Sequence, residues 1–168
     1  MIRKSFIATA LGAVVAFSGG LIHPFGVPIA ARSNETILRE AHIDSETLVL
    51  IERACQNCHS QNTVWPWYSQ VAPVSWLIAR DVQQARSHLN LSSWQDYSSD
   101  DQLRLLSAIG SAVRNREMPV RRYLLLHAEA RLTDADRQQI YRWTRMERNR
   151  IRIPSVPPDP NRDINTAR

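Results

Sequence analysis

Residues 55–69 are the stretch of sequence that decides the fold: Cys-Gln-Asn-Cys-His-Ser-Gln-Asn-Thr-Val-Trp-Pro-Trp-Tyr-Ser. Cys55 and Cys58 are the only cysteines of the chain, and His59 follows the second of them directly. Because an α-helix has about 3.6 residues per turn, this spacing places both thiols on one side of a single turn. The two cysteines and the histidine are therefore expected to act together.

The pattern C-x-x-C-H is the motif that attaches haem covalently in c-type cytochromes. Each thiol can add across one haem vinyl group, and the two thioethers then hold the ring beside His59. We expect Nε2 of His59 to be the proximal ligand of the iron. Its Nδ1 should donate to a backbone carbonyl or a side chain, which fixes the orientation of the imidazole. The sequence therefore predicts one haem c as the cofactor, attached through Cys55 and Cys58.

Three other uses of the two cysteines compete with haem attachment. A thioredoxin-like redox pair needs a βαβ context, and the sequence has no alternating strand pattern. A zinc site needs two further ligands, and no His-x₃₋₅-His pair supplies them. A disulfide between Cys55 and Cys58 would leave His59 without a role. Haem attachment is the hypothesis that uses all three residues.

The ligand on the opposite face of the iron would decide what the haem does. The candidates are Met118, Met146, His42, His88 and His127. Met118 precedes a proline at the end of a predicted helix, so its thioether could reach across a pocket, but methionine also fills gaps in cores. Spacing alone leaves both interpretations of Met118 open. Met146 is expected to pack or lie on the surface, His88 and His127 to end helices, and His42 to be exposed.

Length and composition limit the chain to one modest domain with appendages. It has 168 residues, of which 43% are hydrophobic and 22% are charged, as is ordinary for a globular protein. Two cysteines are too few for a disulfide scaffold or a four-cysteine metal site. The formal net charge is +5, but the arginines are spread over several predicted helices without a nucleic-acid-binding motif. We therefore expect no nucleic-acid partner, and a redox partner protein instead.

Residues 1–31 have the composition of a signal-anchor or a signal peptide. Arg3 and Lys4 are followed by no charged residue until Arg32, and an apolar run covers 6–22. That run is longer than a usual signal-peptide core and slightly shorter than a spanning helix. Either kind of segment would export the rest of the chain. We expect a protein anchored on the periplasmic side of the bacterial inner membrane, or a soluble periplasmic protein after cleavage.

The remainder of the chain is predicted to be all-α. Residues 45–150 should form one helical domain, preceded by a linker at 32–44 and followed by a proline-rich tail at 151–168. The predicted helical segments are 46–55, 73–89, a segment from 99 to the turn before 119, 120–127, and a segment from 134 onward.

Capping residues and apolar spacing set the ends and faces of these helices. Ser45 is the predicted N-cap of the first helix. Thr133 and Asp136 form a predicted capping box before the last helix, on which Ile140 and Trp143 should face the core.

Motifs beyond the cysteines make the chain similar to a known family. In chain order they are Cys55-x-x-Cys58-His59-Ser60, Asn62–Ser69, Ala72–Leu77, Leu89–Trp94, Glu117-Met118-Pro119, Tyr123–Leu132 and Trp143. With them, residues 40–150 resemble the "haem-binding domain" family of small bacterial c-type cytochromes. The resemblance implies a cytochrome c-like helical domain around one covalent haem, with an N-terminal membrane segment. It also favours Met118 as sixth ligand, because c-type cytochromes often pair histidine with methionine.

Aromatic residues near the motif are candidates for the haem pocket. They are Trp65, Trp67, Tyr68 and Trp76. Their simplest role is to pack against a flat cofactor. An indole N–H or the Tyr68 hydroxyl could instead donate to a haem propionate, and Arg80 on the next predicted helix is a second candidate for that contact.

The expected function is electron transfer by an exported monohaem cytochrome c, whose iron cycles between Fe(II) and Fe(III). We expect a carrier rather than an enzyme, with redox proteins of the periplasm or membrane as partners. Two alternatives stay open: a haem enzyme or gas or redox sensor with an open sixth position, and a haem subunit of a larger oxidoreductase. A peroxidase-like site would need a distal acid–base group, for which His88 and His127 are candidates.

Overall fold

This computed structural model describes residues 36–153, which contain five α-helices and four short 3₁₀ turns joined by loops. The helices are α1 (Ser45–Ala54), α2 (Gln56–His59), α3 (Val74–His88), α4 (Ser99–Arg114) and α5 (Asp134–Arg152), and the 3₁₀ turns are Trp67–Gln70, Leu91–Asp96, Tyr123–Leu125 and Ala128–Ala130. No strand occurs within these residues. The predicted all-α class is confirmed.

Polar side chains fix the starts of two helices. Asp44, rather than the predicted Ser45, caps α1, and its carboxylate accepts both the Thr47 backbone N–H at 2.8 Å and the Thr47 hydroxyl at 2.7 Å. Aspartate and serine are comparable caps, but here Asp44 satisfies two donors of Thr47 and Ser45 is the first residue inside the helix. α5 begins with the predicted capping box, in which Thr133 and Asp136 bond each other's backbone N–H at 2.9 and 3.1 Å.

The core lies between α1, α4, α5 and the 3₁₀ turn at Leu91–Asp96. Its buried side chains are Ile37, Leu38, Leu50, Ile51, Leu91, Trp94, Leu105, Leu106, Val113, Leu132, Ile140 and Trp143. Ile140 and Trp143 face this core, as predicted. Each fully buried large apolar side chain stabilises the fold by roughly 1.5–3 kcal/mol. These helices form the rigid support behind the C-x-x-C-H turn.

The packed part of the chain begins before residue 45. Ile37 and Leu38 are 4% and 2% exposed, although both fall in the predicted linker at 32–44. The indole Nε1 of Trp143 donates to the carbonyl oxygen of His42 at 3.0 Å, which ties the same segment to α5. Two adjacent apolar residues have neither helical nor strand periodicity, so the sequence pattern does not reveal their burial.

Residues 120–127 do not form the predicted helical segment. The chain instead makes the 3₁₀ turns Tyr123–Leu125 and Ala128–Ala130. Helix nucleation is unfavourable for so short a segment, whereas 3₁₀ turns satisfy part of the backbone with i→i+3 hydrogen bonds.

The predicted terminal segments lie largely outside the described residues. This applies to the N-terminal apolar helix at 1–31 and to the tail from 154 onward, whereas α5 extends through Arg152 into the predicted tail. Among residues 36–153, no helix is long and apolar enough to cross a membrane.

Gly110 marks the closest approach of α4 to α5. A Cβ atom at this position would lie 2.7 Å from Oγ1 of Thr144 and 3.3 Å from the ring of Tyr141. Alanine would gain about 1 kcal/mol in helix propensity, but the short Thr144 side chain cannot move away. We expect Gly110→Ala to lower the free energy of unfolding by about 1–3 kcal/mol, measured by denaturant titration.

The matched control for Gly110→Ala is the double variant with Thr144→Ala, which removes the obstructing hydroxyl. The double variant should be less destabilised than the sum of the two single variants. Strict additivity of the two changes would contradict a steric contact between these helices.

Candidate functional site

The C-x-x-C-H segment forms the single turn of α2, directly after α1. Cys55 ends α1, where its N–H donates to the Ile51 carbonyl oxygen at 2.8 Å, and its own carbonyl begins the next turn. That carbonyl accepts from the N–H of Cys58 at 3.2 Å and of His59 at 3.0 Å. The predicted single turn is therefore present, with the three residues held by one backbone carbonyl.

His59 is oriented by the chain that follows α3. Its Nδ1 lies 3.1 Å from the carbonyl oxygen of Leu89, and a carbonyl can only accept, so Nδ1 carries the hydrogen. In the neutral ring Nε2 then carries the lone pair, and His59 lines a cavity. Burial lowers the pKa of His59, which favours the neutral imidazole that a metal ligand needs. The predicted Nδ1 contact with a backbone carbonyl is confirmed.

The two cysteines occupy different surroundings, although both are free thiols. Cys55 packs against the core, and burial raises the pKa of its thiol to about 12. Cys58 lines the cavity, and burial also raises the pKa of its thiol. Among residues 36–153 there is no group of three or more His, Cys, Asp and Glu side chains arranged to hold a metal ion.

A cavity of about 570 Å³ opens beside α2 and α3. This volume is in the usual range for a small-molecule or cofactor site. Its apolar wall consists of Val64, Trp65, Pro66, Val74, Leu77, Ile78, Val82, Ala85, Val120 and Leu126. Cys58, His59 and Met118 line the same cavity. The structure therefore brings the thioether of Met118 to the same cavity as the thiol and imidazole of the adjacent residues Cys58 and His59.

The end of α4 holds Met118 at the cavity. Arg116 has a left-handed backbone with φ of 61°, its N–H donates to Val113, and the N–H of Glu117 donates to Ala112 at 2.9 Å. These two bonds form a Schellman motif, which ends the helix and turns the chain.

A side chain of α5 closes the same turn. Nη1 of Arg137 donates to the carbonyl oxygens of Val113 at 3.0 Å and Met118 at 3.1 Å. Because one guanidinium bonds both sides of the turn, the backbone of Met118 is fixed, while its side chain remains 38% exposed.

Arg86 holds the loop after the C-x-x-C-H turn. From α3, its Nε donates to the Ser60 carbonyl oxygen at 2.8 Å and its Nη2 donates to the Thr63 hydroxyl at 2.7 Å. The Thr63 hydroxyl in turn donates to the carbonyl oxygen of Asn57 at 2.7 Å. Arg86 thus links α3 to the loop that follows the C-x-x-C-H turn. Sequence patterns do not predict this role.

Loss of the Arg86 guanidinium should weaken the fold at this loop. Arg86→Met keeps much of the side-chain volume but leaves two buried acceptors unpaired, so we expect the free energy of unfolding to fall by about 2 kcal/mol. Denaturant unfolding measures this change. As a control, Arg104→Met removes an exposed ion pair with Asp101 and should change stability by less than about 1 kcal/mol. Equal effects of the two substitutions would contradict the assigned role of Arg86.

The aromatic and basic candidates divide between the cavity and other positions. Trp65 and Tyr68 line the cavity, whereas Trp67 is 79% exposed and does not. Trp76 and Arg80 also lie away from the cavity wall, because α3 turns other side chains toward it.

The other candidates for the second axial ligand of the iron are likewise divided between the cavity wall and other positions. His88 and His127 line the cavity together with Met118. His42 and Met146 are exposed and do not line it.

Several polar residues of the cavity wall were missed by the sequence patterns. Arg122 forms an ion pair with Asp81 at 2.8 Å, and both line the cavity. Tyr123 accepts from Nδ2 of Asn57 at 3.0 Å and stacks on His127 with ring centroids 4.1 Å apart. The only sequence signal for Arg122 is its position four residues after Met118. This position indicates a place in the cavity wall only when Met118 is already known to line the cavity.

The donor set of this cavity fits haem. An apolar chamber suits a flat hydrophobic ring, histidine imidazole and methionine thioether are established iron ligands, and Cys58 lies on the same wall as His59 and Met118. Arg122 also lines the cavity, where its guanidinium is paired with the carboxylate of Asp81.

Comparison with known proteins agrees with the site. Residues 20–146, well over half of the chain, match the family model of the haem-binding domain. Searches of curated proteins and of solved structures found no match. The chain therefore belongs to the haem-binding domain family and is a haem-binding protein.

Proposed function

We propose that this protein is an exported monohaem c-type cytochrome that carries electrons. The observation that supports this proposal most strongly is the common cavity of His59 and Met118, with Cys58 on its wall. An imidazole and a thioether on one haem would occupy both axial positions and leave none for substrate. Such a site favours electron transfer over catalysis.

Cys55 and Cys58 attach the haem in this proposal. Each S–H would add across one vinyl double bond of the haem, with a C–S bond formed, the hydrogen moved to the other vinyl carbon and no leaving group. The backbone bonds to the Cys55 carbonyl keep both sulfurs on one turn. The placement of Cys55 behind the cavity wall makes Cys58 the nearer attachment point.

The residues around the cofactor hold and shield it. Bound haem supplies a one-electron couple between Fe(II) and Fe(III). The Leu89 carbonyl fixes the imidazole of His59, and Arg137 fixes the turn that carries Met118. The apolar wall excludes water, which lowers the local dielectric and affects the redox potential.

The electron donor and acceptor in this proposal are redox proteins of the periplasm or its membrane. Support comes from residues 1–31, whose basic start and uncharged apolar run fit an export signal or anchor. A c-type haem also suits an exported protein, because it remains attached to the chain outside the cell.

Absorption spectra of the purified full chain, with and without carbon monoxide, test this function. We expect a reversible one-electron couple and spectra of a six-coordinate haem in both oxidation states. Carbon monoxide should leave the reduced spectrum unchanged, because both axial positions are filled. Rapid binding of carbon monoxide to the reduced protein would overturn the carrier proposal.

A haem enzyme with an open sixth position is the second candidate. The observation that favours it is His127, which lines the cavity and is hydrogen-bonded to Tyr68 and Glu129, as an acid–base group should be. Carbon monoxide binding together with turnover of hydrogen peroxide would support this candidate over the carrier.

A further inference from the structure

Three side chains form a continuous hydrogen-bonded chain from the cavity to solvent. The hydroxyl oxygen of Tyr68 lies 2.6 Å from Nε2 of His127, and Nδ1 of His127 lies 2.7 Å from Oε1 of Glu129. The imidazole also stacks on the ring of Tyr123, with 14° between the planes. These contacts fix the ring of His127 at both nitrogens and on one face.

The chain can accommodate His127 in both protonation states. The Glu129 carboxylate can only accept, so Nδ1 carries a hydrogen, and in the neutral ring Nε2 accepts from the Tyr68 hydroxyl. When the ring gains a proton, Nε2 donates to the Tyr68 oxygen and the hydroxyl hydrogen turns away. Burial raises the pKa of Tyr68, so the hydroxyl keeps its own proton in either state. No hydrogen bond of the imidazole is lost on protonation.

A proton can reach this histidine from solvent without opening the fold. His127 and Tyr68 line the cavity, and the side chain of His127 is 17% exposed. The side chain of Glu129 is 64% exposed. Hydrogen bonds from its own backbone and from His127 lower the pKa of Glu129, so a carboxylate faces the imidazole. The Glu129 carboxylate therefore stabilises a cationic imidazole at the cavity wall.

The other titratable groups on the wall are either paired or placed elsewhere. Tyr68, Tyr123 and Glu129 are the titratable groups in direct contact with His127. The remaining titratable and charged side chains of the cavity are Cys58, His59, Asp81, His88 and Arg122. Asp81 and Arg122 neutralise each other at 2.8 Å, and Nδ1 of His88 bonds the Gln84 carbonyl oxygen. Of the three histidines that line the cavity within residues 36–153, His127 is thus the one that bonds a carboxylate.

We propose, on the basis of the carrier function above, that reduction of the haem is coupled to uptake of one proton by the imidazole of His127. An electron from the donor protein would convert Fe(III) to Fe(II), while the Tyr68 hydroxyl would pass its hydrogen to Nε2 of His127 and take a proton from water in its place. The site gains one negative and one positive charge, so its net charge stays constant. In an apolar chamber, that balance favours both steps together. The protein would then carry a proton with each electron.

Potentiometric titration of the haem-loaded full chain at several pH values tests this coupling. The midpoint potential should fall as pH rises, by at most about 59 mV per unit, over the range in which the coupled group changes charge. His127→Gln should abolish this slope. Glu129→Gln should move the sloping region to lower pH, because the cationic imidazole loses its carboxylate partner. His42→Gln, at an exposed histidine outside the cavity, should behave like the wild type.

A second measurement does not depend on electron transfer. In nuclear magnetic resonance titrations, the ring of His127 should gain its proton at higher pH in the reduced protein than in the oxidised protein. A reversible couple whose potential is independent of pH would overturn the proton coupling but not the carrier function. A slope retained in His127→Gln would do the same, and a protein with no reversible couple would overturn both.

Discussion

Substitution of serine for both Cys55 and Cys58 should leave no haem on the denatured chain, whereas the wild-type chain should keep its haem through denaturation. A serine hydroxyl does not form the thioether that each cysteine thiol forms, so only the axial ligands would hold the cofactor. The haem should then pass into acidified butanone, where its absorbance measures the released fraction. We expect nearly complete release from the double variant and nearly none from the wild type.

The single variants provide the matched controls for this experiment. Cys55→Ser and Cys58→Ser each keep one thiol, so each should retain haem on the denatured chain through one thioether, with an altered reduced spectrum from the free vinyl group. Full retention of haem by the double variant would show that attachment does not use these sulfurs.

Loss of the Met118 thioether is expected to change the iron site more than any other single substitution outside the C-x-x-C-H turn. In Met118→Ala, the weak long-wavelength band of methionine-ligated Fe(III) should vanish and carbon monoxide should bind the reduced protein. The midpoint potential should fall by a tenth or more of the roughly 0.8 V range that axial ligands span, because methionine favours Fe(II). Absorption spectroscopy and potentiometry measure these effects.

Met146→Ala is the control for Met118→Ala. Met146 is 61% exposed and does not line the cavity, so its removal should leave both the band and the potential unchanged. An unaltered spectrum in Met118→Ala would mean that another side chain, such as His127 on the same wall, is the sixth ligand.

Much of the fold was predictable because its signals are local. The capping box of Thr133 and Asp136 and the helical spacing of Ile140 and Trp143 are written in neighbouring residues, and the structure contains both. The burial of Ile37 has no local signal, since it depends on contacts with distant parts of the chain. Asp44 caps α1 in place of the predicted Ser45. The two residues are adjacent and both carry acceptor oxygens, so only the side-chain geometry distinguishes them.

The features of the candidate site also divide into those that local sequence patterns predict and those that depend on distant residues. The turn at Cys55–His59 follows from the spacing alone. The expectation that Nδ1 of His59 bonds a carbonyl or a side chain follows from the usual second contact of a metal-binding histidine, and the structure contains the carbonyl contact. Arg86 bonds Ser60 and Thr63, and His127 bonds Tyr68, across 23 to 59 residues of sequence, and no single-sequence pattern connects such positions. Arg80, the predicted propionate contact, directly precedes Asp81 on α3 but, unlike Asp81 and Gln84, does not line the cavity.

The most direct test of covalent haem attachment is the mass of the proteolytic peptide that contains residues 55–59. The full chain would be produced in a host with c-type haem maturation, purified, denatured and digested before mass spectrometry. A c-type cytochrome requires this peptide to carry the mass of one haem, with no free thiol left on Cys55 or Cys58. Recovery of the same peptide unmodified, with two alkylatable thiols, from haem-loaded protein would contradict it.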